Sequence, residues 1–171
     1  MRIRHFVPCI LLGMMLFLCG CQSEITKPPR PTPTPISKPL PAAPLYYFYF
    51  SESASYYARV QCYEFRDEAG RYMAYFTMAN EEEPYPVPVD QAWVDTLSGF
   101  IEQYGMMNWD GFHGTDSMLL DGTQFSIEFA FADGTSVSAG GYGRFPANYG
   151  DASAAIDAHF MQLLPEDMRD W

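Results

Sequence analysis

From Leu45 to the C-terminus the chain contains no lysine. Twenty Asp and Glu stand against five Arg in that span, a formal −15, within a net −11 for all 171 residues. A surface so one-sided repels phosphate backbones and anionic lipid headgroups. Nucleic acid is thereby excluded as a partner, and so is direct docking of this part of the chain on a lipid surface. Cysteine is scarce as well, with Cys9, Cys19, Cys21 and Cys62 the only four. Three of them cluster near the N-terminus, and Cys62 stands alone in the body of the chain. A lone thiol inside a strand-like run is expected to be a small buried hydrophobe. No apolar run reaches the roughly 20 residues that a membrane-spanning helix needs. Catalytic signatures are missing too: there is no G-x-S-x-G elbow, P-loop, His-Glu-x-x-His helix, CxxC or calcium-binding loop. No catalytic residue, cofactor or metal is assigned on sequence. What is plentiful is apolar and aromatic side chain, 48% and 16% of the residues. That much apolar surface offsets the entropy of ordering one domain, and the length leaves no room for a second.

The first twenty residues have the three parts of an export signal: basic Arg2 and Arg4, an apolar run from Phe6 to Leu18, and small Gly20 before a cysteine. Leu18-Cys19-Gly20-Cys21 resembles the lipobox of bacterial lipoproteins. The resemblance implies cleavage before Cys21, diacylglycerol on its sulfur, and a protein held on the extracytoplasmic face of the cell membrane. An ordinary secretory signal and a retained single-pass anchor are the competing readings. Between Gln22 and Pro44 eight of twenty-three residues are proline, which favours an extended polyproline stalk of up to roughly 70 Å. The organisation is therefore a signal over 1–20, a lipidated N-terminus and stalk over 21–44, and a globular domain over 45–171.

Within the domain, Leu45–Phe50 reads as an inner strand. Two more strands are expected over 57–66 and 71–78, joined by a turn at Asp67-Glu68-Ala69-Gly70. Glu81–Pro88 reads as an acidic, proline-punctuated loop. Asp90 caps a helix to Tyr104, with Trp93, Val94, Leu97, Phe100, Ile101 and Tyr104 at helical spacing and Gly105 as its stop. After a loop over 106–121 come strands over 123–132 and 135–141, around Asp133-Gly134. A second helix over 151–164 stops at Pro165. The order β-β-β-α-β-β-α predicts an α+β two-layer domain, an antiparallel sheet of about five strands with two helices on one face.

Chemistry-bearing residues gather in the 106–121 loop and the glycine-rich exit after the last strand. Trp109, Phe112, Tyr142, Arg144 and Tyr149 form a candidate recognition patch, since Trp, Tyr and Arg dominate binding hot spots. The competing expectation is that Trp109 and Phe112 plug the open end of the sheet and that Arg144 pairs with a carboxylate. Asp110, His113, Asp116 and Asp121 are the alternative set, for acid–base or metal chemistry, although their spacing fits no metal motif. His159, on the apolar side of the second helix, is expected to be a satisfied, partly buried imidazole. Trp109, Gly111, Phe112, Leu120-Asp121-Gly122, Phe125-Ser126, Asp133-Gly134, Ser138-Ala139-Gly140, Phe145-Pro146 and Asn148-Tyr149 carry a further likeness. Through them residues 99–150 resemble an uncharacterised family of exported lipoproteins from Gram-positive bacteria. That resemblance implies a shared address and fold, and no activity. A stalked domain without catalytic motifs suits binding to an envelope protein, peptide or glycan. A hydrolase using His113 is the alternative.

Overall fold

The computed structural model describes residues 38–53, 60–78, 82–120 and 122–169. The signal segment, Cys21, the stalk as far as 37, the start of the second expected strand and Asp121 lie outside them.

The sequence builds an α+β domain on one sheet. Its strands are β1 (Leu45–Ser53), β2 (Val60–Asp67), β3 (Tyr72–Met78), β4 (Tyr85–Pro88), β5 (His113–Thr115), β6 (Gln124–Phe131) and β7 (Ser136–Tyr142). Its helices are α1 (Gln91–Gln103), α2 (Tyr149–Met161) and α3 (Glu166–Arg169). The spatial order is β4-β3-β2-β1-β6-β7-β5. Two expectations are corrected here: the sheet has seven strands rather than about five, and it is mixed, because β5 runs parallel to β7. Both extra strands come from stretches read as loops. β4 lies in the acidic proline run, where Pro86 and Pro88 are tolerated because an edge strand needs no donor on its outer side. β5 is only three residues long, too short for any periodicity to announce it.

Alternation assigns the two faces of the sheet. Phe48 on β1 lies opposite Phe65 on β2 and Phe129 on β6, and Phe50 lies opposite Tyr63 and Ile127. Continuing outward in register, Tyr63 meets Phe76, and Phe129 meets Val137. All of these side chains are buried. Complete burial of each large one stabilises the fold by roughly 1.5–3 kcal/mol. Both long helices cover this face. Trp93 of α1 packs on Phe65 (ring centroids 6.1 Å apart), and Phe160 of α2 stacks on Tyr63 (4.9 Å) and Phe48 (6.2 Å). Two tyrosine hydroxyls tie sheet and helix through carboxylates: Tyr63 of β2 donates to Asp157 of α2, and Tyr149 of α2 donates to Glu52 of β1 at 2.5 Å. Burial first, and then the carboxylate bond, pushes both phenols well above the ordinary tyrosine range. Cys62 is a third correction. Its neighbours Tyr63 and Phe65 take the covered face, so Cys62 is half-buried on the other one, opposite Ser51 and Thr77.

Helix α1 forms as its sequence predicts. Asp90 accepts from the Trp93 N–H at 2.9 Å, and Gly105, at φ +65°, ends the turn. Helix α2 begins two residues earlier than its apolar pattern suggested. Asn148 takes φ +62° and donates its side-chain amide to the Tyr104 carbonyl at 3.3 Å, joining the end of α1 to the start of α2. Lys38–Pro44, read as the end of the stalk, runs along the domain. Leu40 and Ala43 pack on the core, and the Lys38 N–H donates to Asn108 Oδ1 at 3.0 Å.

Candidate functional site

The 106–121 stretch is more ordered than a loop. A 3-10 turn over Met106–Trp109 buries Met106, Met107 and Trp109. Gly111, at φ +74°, then swings the chain so that its N–H reaches the Ser138 carbonyl at 2.9 Å. β5 follows alongside β7, with Gly114 opposite Gly141. That pairing needs both glycines. A Cβ on Gly114 would lie 2.7 Å from the Phe112 ring, and one on Gly141 would collide with the Arg144 carbonyl and sit 2.7 Å from the Phe125 ring. The glycine run at 140–143 is thus a close backbone approach, not a phosphate cradle.

Two concavities flank this crossing. The larger is a groove of about 660 Å³ between the C-terminal end of α1, Phe112 and the turn over Phe145–Asn148. Tyr104, Phe112, Phe145 and Pro146 supply apolar wall, and Gln103, Asn108 and Asn148 supply amides. Among the described residues Glu102 is the one carboxylate that lines it, and no histidine does. Phe145 is 39% exposed and lies on Tyr149, with ring centroids 4.6 Å apart. The smaller, about 420 Å³, is a trough on the helix-free side of the sheet. His113, Thr115, Gln124, Ser126, Ser138 and Tyr142 line it above Gly140.

The expected recognition patch does not assemble as a whole. Trp109 is 3% exposed; its indole lies 6.0 Å from the Tyr149 ring, and its N–H donates to the Ala147 carbonyl at 3.1 Å. It is the plug of the sheet's end. Tyr149 is buried as well, held by Glu52. Tyr142 acts as a clamp: its hydroxyl accepts from the Gly122 N–H at 2.9 Å and donates to the Leu120 carbonyl at 3.0 Å, closing the 116–122 loop. Phe112 is half-buried in the groove wall. Arg144 is exposed, and among the described residues it makes no ion pair.

The described members of the acid–base set, Asp110, His113 and Asp116, form no common cluster with a third ligand-type side chain. His113 is exposed in the polar trough, and among the described residues no carboxylate lines that trough. Asp110 accepts from the Ser138 N–H at 3.4 Å and lies 3.8 Å from Lys38 Nζ. Asp116 accepts from the Met118 N–H at 3.0 Å, which is turn chemistry. Among the described residues no three His, Cys, Asp or Glu side chains converge as a metal site would require.

The chain matches no family model and no curated protein.

Its geometry also holds features that sequence reasoning missed. Phe145 is one, an aromatic displayed by the tight turn that Gly141 permits. Met118 and Leu120, 88% and 96% exposed at the loop tip, are another. Three apolar residues in succession inside a polar turn were the available signal for the second.

His159 conforms to expectation. It is buried, its Nε2–H donates to the Trp93 carbonyl at 3.0 Å, and its Nδ1 accepts from the Gln162 amide at 3.0 Å, while its ring stacks on Trp93 at 4.4 Å. Only the neutral ring fits this pair of bonds. Burial holds its pKa below the ordinary 6.5, against a smaller opposing effect of the Trp93 carbonyl. The unfolded chain therefore takes up the proton first as the pH falls. The stability that neutral His159 contributes is complete above about pH 6.5 and is lost as the pH drops through the folded-state value. Urea unfolding of the wild type and of His159→Gln between pH 7.5 and pH 5 checks this: the stability advantage of the wild type shrinks toward the acid end. A constant gap would contradict it.

Proposed function

We propose that the protein is a lipoprotein anchored through Cys21 on the extracytoplasmic face of the cell membrane. Its domain is a non-catalytic binding module that offers the groove at the end of α1 to a protein, peptide or glycan of the envelope. The groove's composition carries the reading. It combines aromatic wall, amide rim and a single carboxylate, which gives shape and hydrogen-bond selectivity without the paired acid and base that hydrolysis requires. Anchoring rests on the basic, apolar and small-residue order ahead of Cys21; no described helix is long and apolar enough to cross a membrane. One observation favours the alternative, an envelope hydrolase using His113: the residue lines an open trough. Against it, the described residues of that trough supply hydroxyls, an amide and glycine backbone but no carboxylate to orient the ring or share its proton.

Two measurements test the proposal. Cys21→Ala is expected to move the protein out of the membrane fraction, and its retention there would refute the lipid anchor. A photo-crosslinking benzoylphenylalanine at position 145 is expected to give one discrete adduct in intact cells, removed by Phe112→Ser, while the same probe at exposed Glu166 gives none. Equal labelling from both positions would refute the groove. Turnover of an envelope polymer abolished by His113→Ala would refute the non-catalytic reading.

A further inference from the structure

The two long helices cover one face of the sheet; the other carries a row of alternating rings and carboxylates. Across four adjacent strands the register places Tyr75 beside Glu64, Glu64 beside Tyr49, and Tyr49 beside Glu128. In the next row Arg66 and Ala130 flank Tyr47 on its two sides. β1 is thus an axis of approximate symmetry. Both neighbours run antiparallel to it, both present a glutamate opposite Tyr49, and each presents a second residue opposite Tyr47.

The symmetry breaks at that second residue. On β2 it is Arg66, whose guanidinium forks onto Glu64 with two bonds of 2.7 Å and lies over the Tyr75 ring, 4.8 Å from its centroid. On β6 it is Ala130. Glu128 is exposed, and among the described residues it has neither an ion pair nor a hydrogen bond to another side chain. The β6 half repeats the carboxylate beside Tyr49, has Ser138 opposite Glu128 where the β2 half has Tyr75 opposite Glu64, and leaves out the guanidinium.

We propose that this half binds an arginine side chain of a partner polypeptide, its guanidinium forked on Glu128 and lying against Tyr49 or Tyr47, as Arg66 sits on Glu64 on the other side of the axis. Charge complementarity supports the choice of occupant. The domain carries a formal −15 with no lysine of its own, so a cationic segment is drawn to it while a second copy is repelled. Tyr47 bears out the local field: burial, then Glu64 and Glu128, push its phenol up to about 12. Arginine is favoured over lysine because the planar fork matches a carboxylate bidentately and stacks on a ring, which a point-charge ammonium does not do.

The test uses the full chain in detergent micelles and two dye-labelled probe peptides, acetyl-Gly-Arg-Gly-Arg-Gly-amide and its lysine counterpart, with binding followed by fluorescence anisotropy. The arginine peptide is expected to bind more tightly than the lysine one. Glu128→Gln is expected to weaken it by about tenfold, the size of one charge-assisted bond. Glu166→Gln, elsewhere on the acidic surface, is expected to leave it within about twofold, as a single screened charge should. Ala130→Arg supplies the missing guanidinium internally and is expected to block the peptide as fully as Glu128→Gln does. Equal losses from Glu128→Gln and Glu166→Gln, or equal affinity for the two peptides, would reduce the effect to a diffuse acidic field and overturn the proposal. A neutral chito-oligosaccharide that competes with the peptide and binds Glu128→Gln unchanged would assign the face to a glycan, and would overturn it too.

Discussion

Phe160→Ala is expected to lower the unfolding free energy by about 3–5 kcal/mol, the range for deleting a buried aromatic ring that its surroundings cannot fill. Phe160 is fully buried at the junction of every layer of the core. It stacks on Tyr63 and Phe48 and meets Phe76 and Trp93 edge-on, with centroids 5.9 and 4.9 Å away. These neighbours come from β1, β2, β3 and α1, and two of them are locked in turn: Tyr63 by Asp157, and Trp93 by its stack on His159. Little collapse into the cavity is available, so the upper half of the range is expected. Urea unfolding measures it. A loss under about 1.5 kcal/mol would mean that the helix layer is not packed as described.

Trp109→Ala is expected to cost a similar amount, about 3–5 kcal/mol, and to do something further. The indole supports Tyr149, and its N–H holds the Ala147 carbonyl at 3.1 Å. Ala147 belongs to the turn that carries Phe145 and lines the groove. Loss of the indole therefore removes both the plug and the tether of the groove wall. Trp109→Phe separates the two effects. It keeps most of the apolar volume and loses the hydrogen bond, and is expected to cost about 1–2 kcal/mol while weakening crosslinking from position 145 disproportionately. Stability and crosslinking falling in the same proportion in both variants would show that Trp109 supports the core alone.

Most of the layer arrangement was legible because it rests on periodicities. The run Phe125, Ile127, Phe129 and Phe131 against polar alternates, and the stripe from Trp93 to Ile101, could fold only as strand and helix. β4 and β5 were not legible for physical reasons. A four-residue edge strand carrying two prolines looks like a turn. A three-residue parallel strand is selected by the backbone approach of Gly114 to Gly141, a tertiary event without local signature. The groove at the end of α1 lies in the stretch where the sequence gathers its candidate residues, but which aromatics would stand in solvent was not readable. Trp109 and Phe145 are both large and both adjacent to turns. Both rings lie against Tyr149, yet the first is buried and the second displayed, a difference set by tertiary packing. The row on the helix-free face was hidden for another reason. Tyr47 and Tyr49 of β1, Glu64 of β2 and Glu128 of the distant β6 come from three strands, and only their register makes them neighbours.

The place of β1 at the middle of the sheet has a consequence for how the chain reaches this state. Its first partner, β2, follows it directly, but its second, β6, begins only at Gln124. A nascent chain emerging N-terminus first therefore presents Leu45-Tyr46-Tyr47-Phe48-Tyr49-Phe50 with one edge paired and the other open. The open edge belongs to the most aromatic segment of the molecule, the type of strand that recruits other chains. Closure waits on a long-range pairing, the slow kind. Chains interrupted before Gln124 are thus the species prone to self-association, and a chaperone that shields this strand has its task set by the interval between the synthesis of β1 and that of β6.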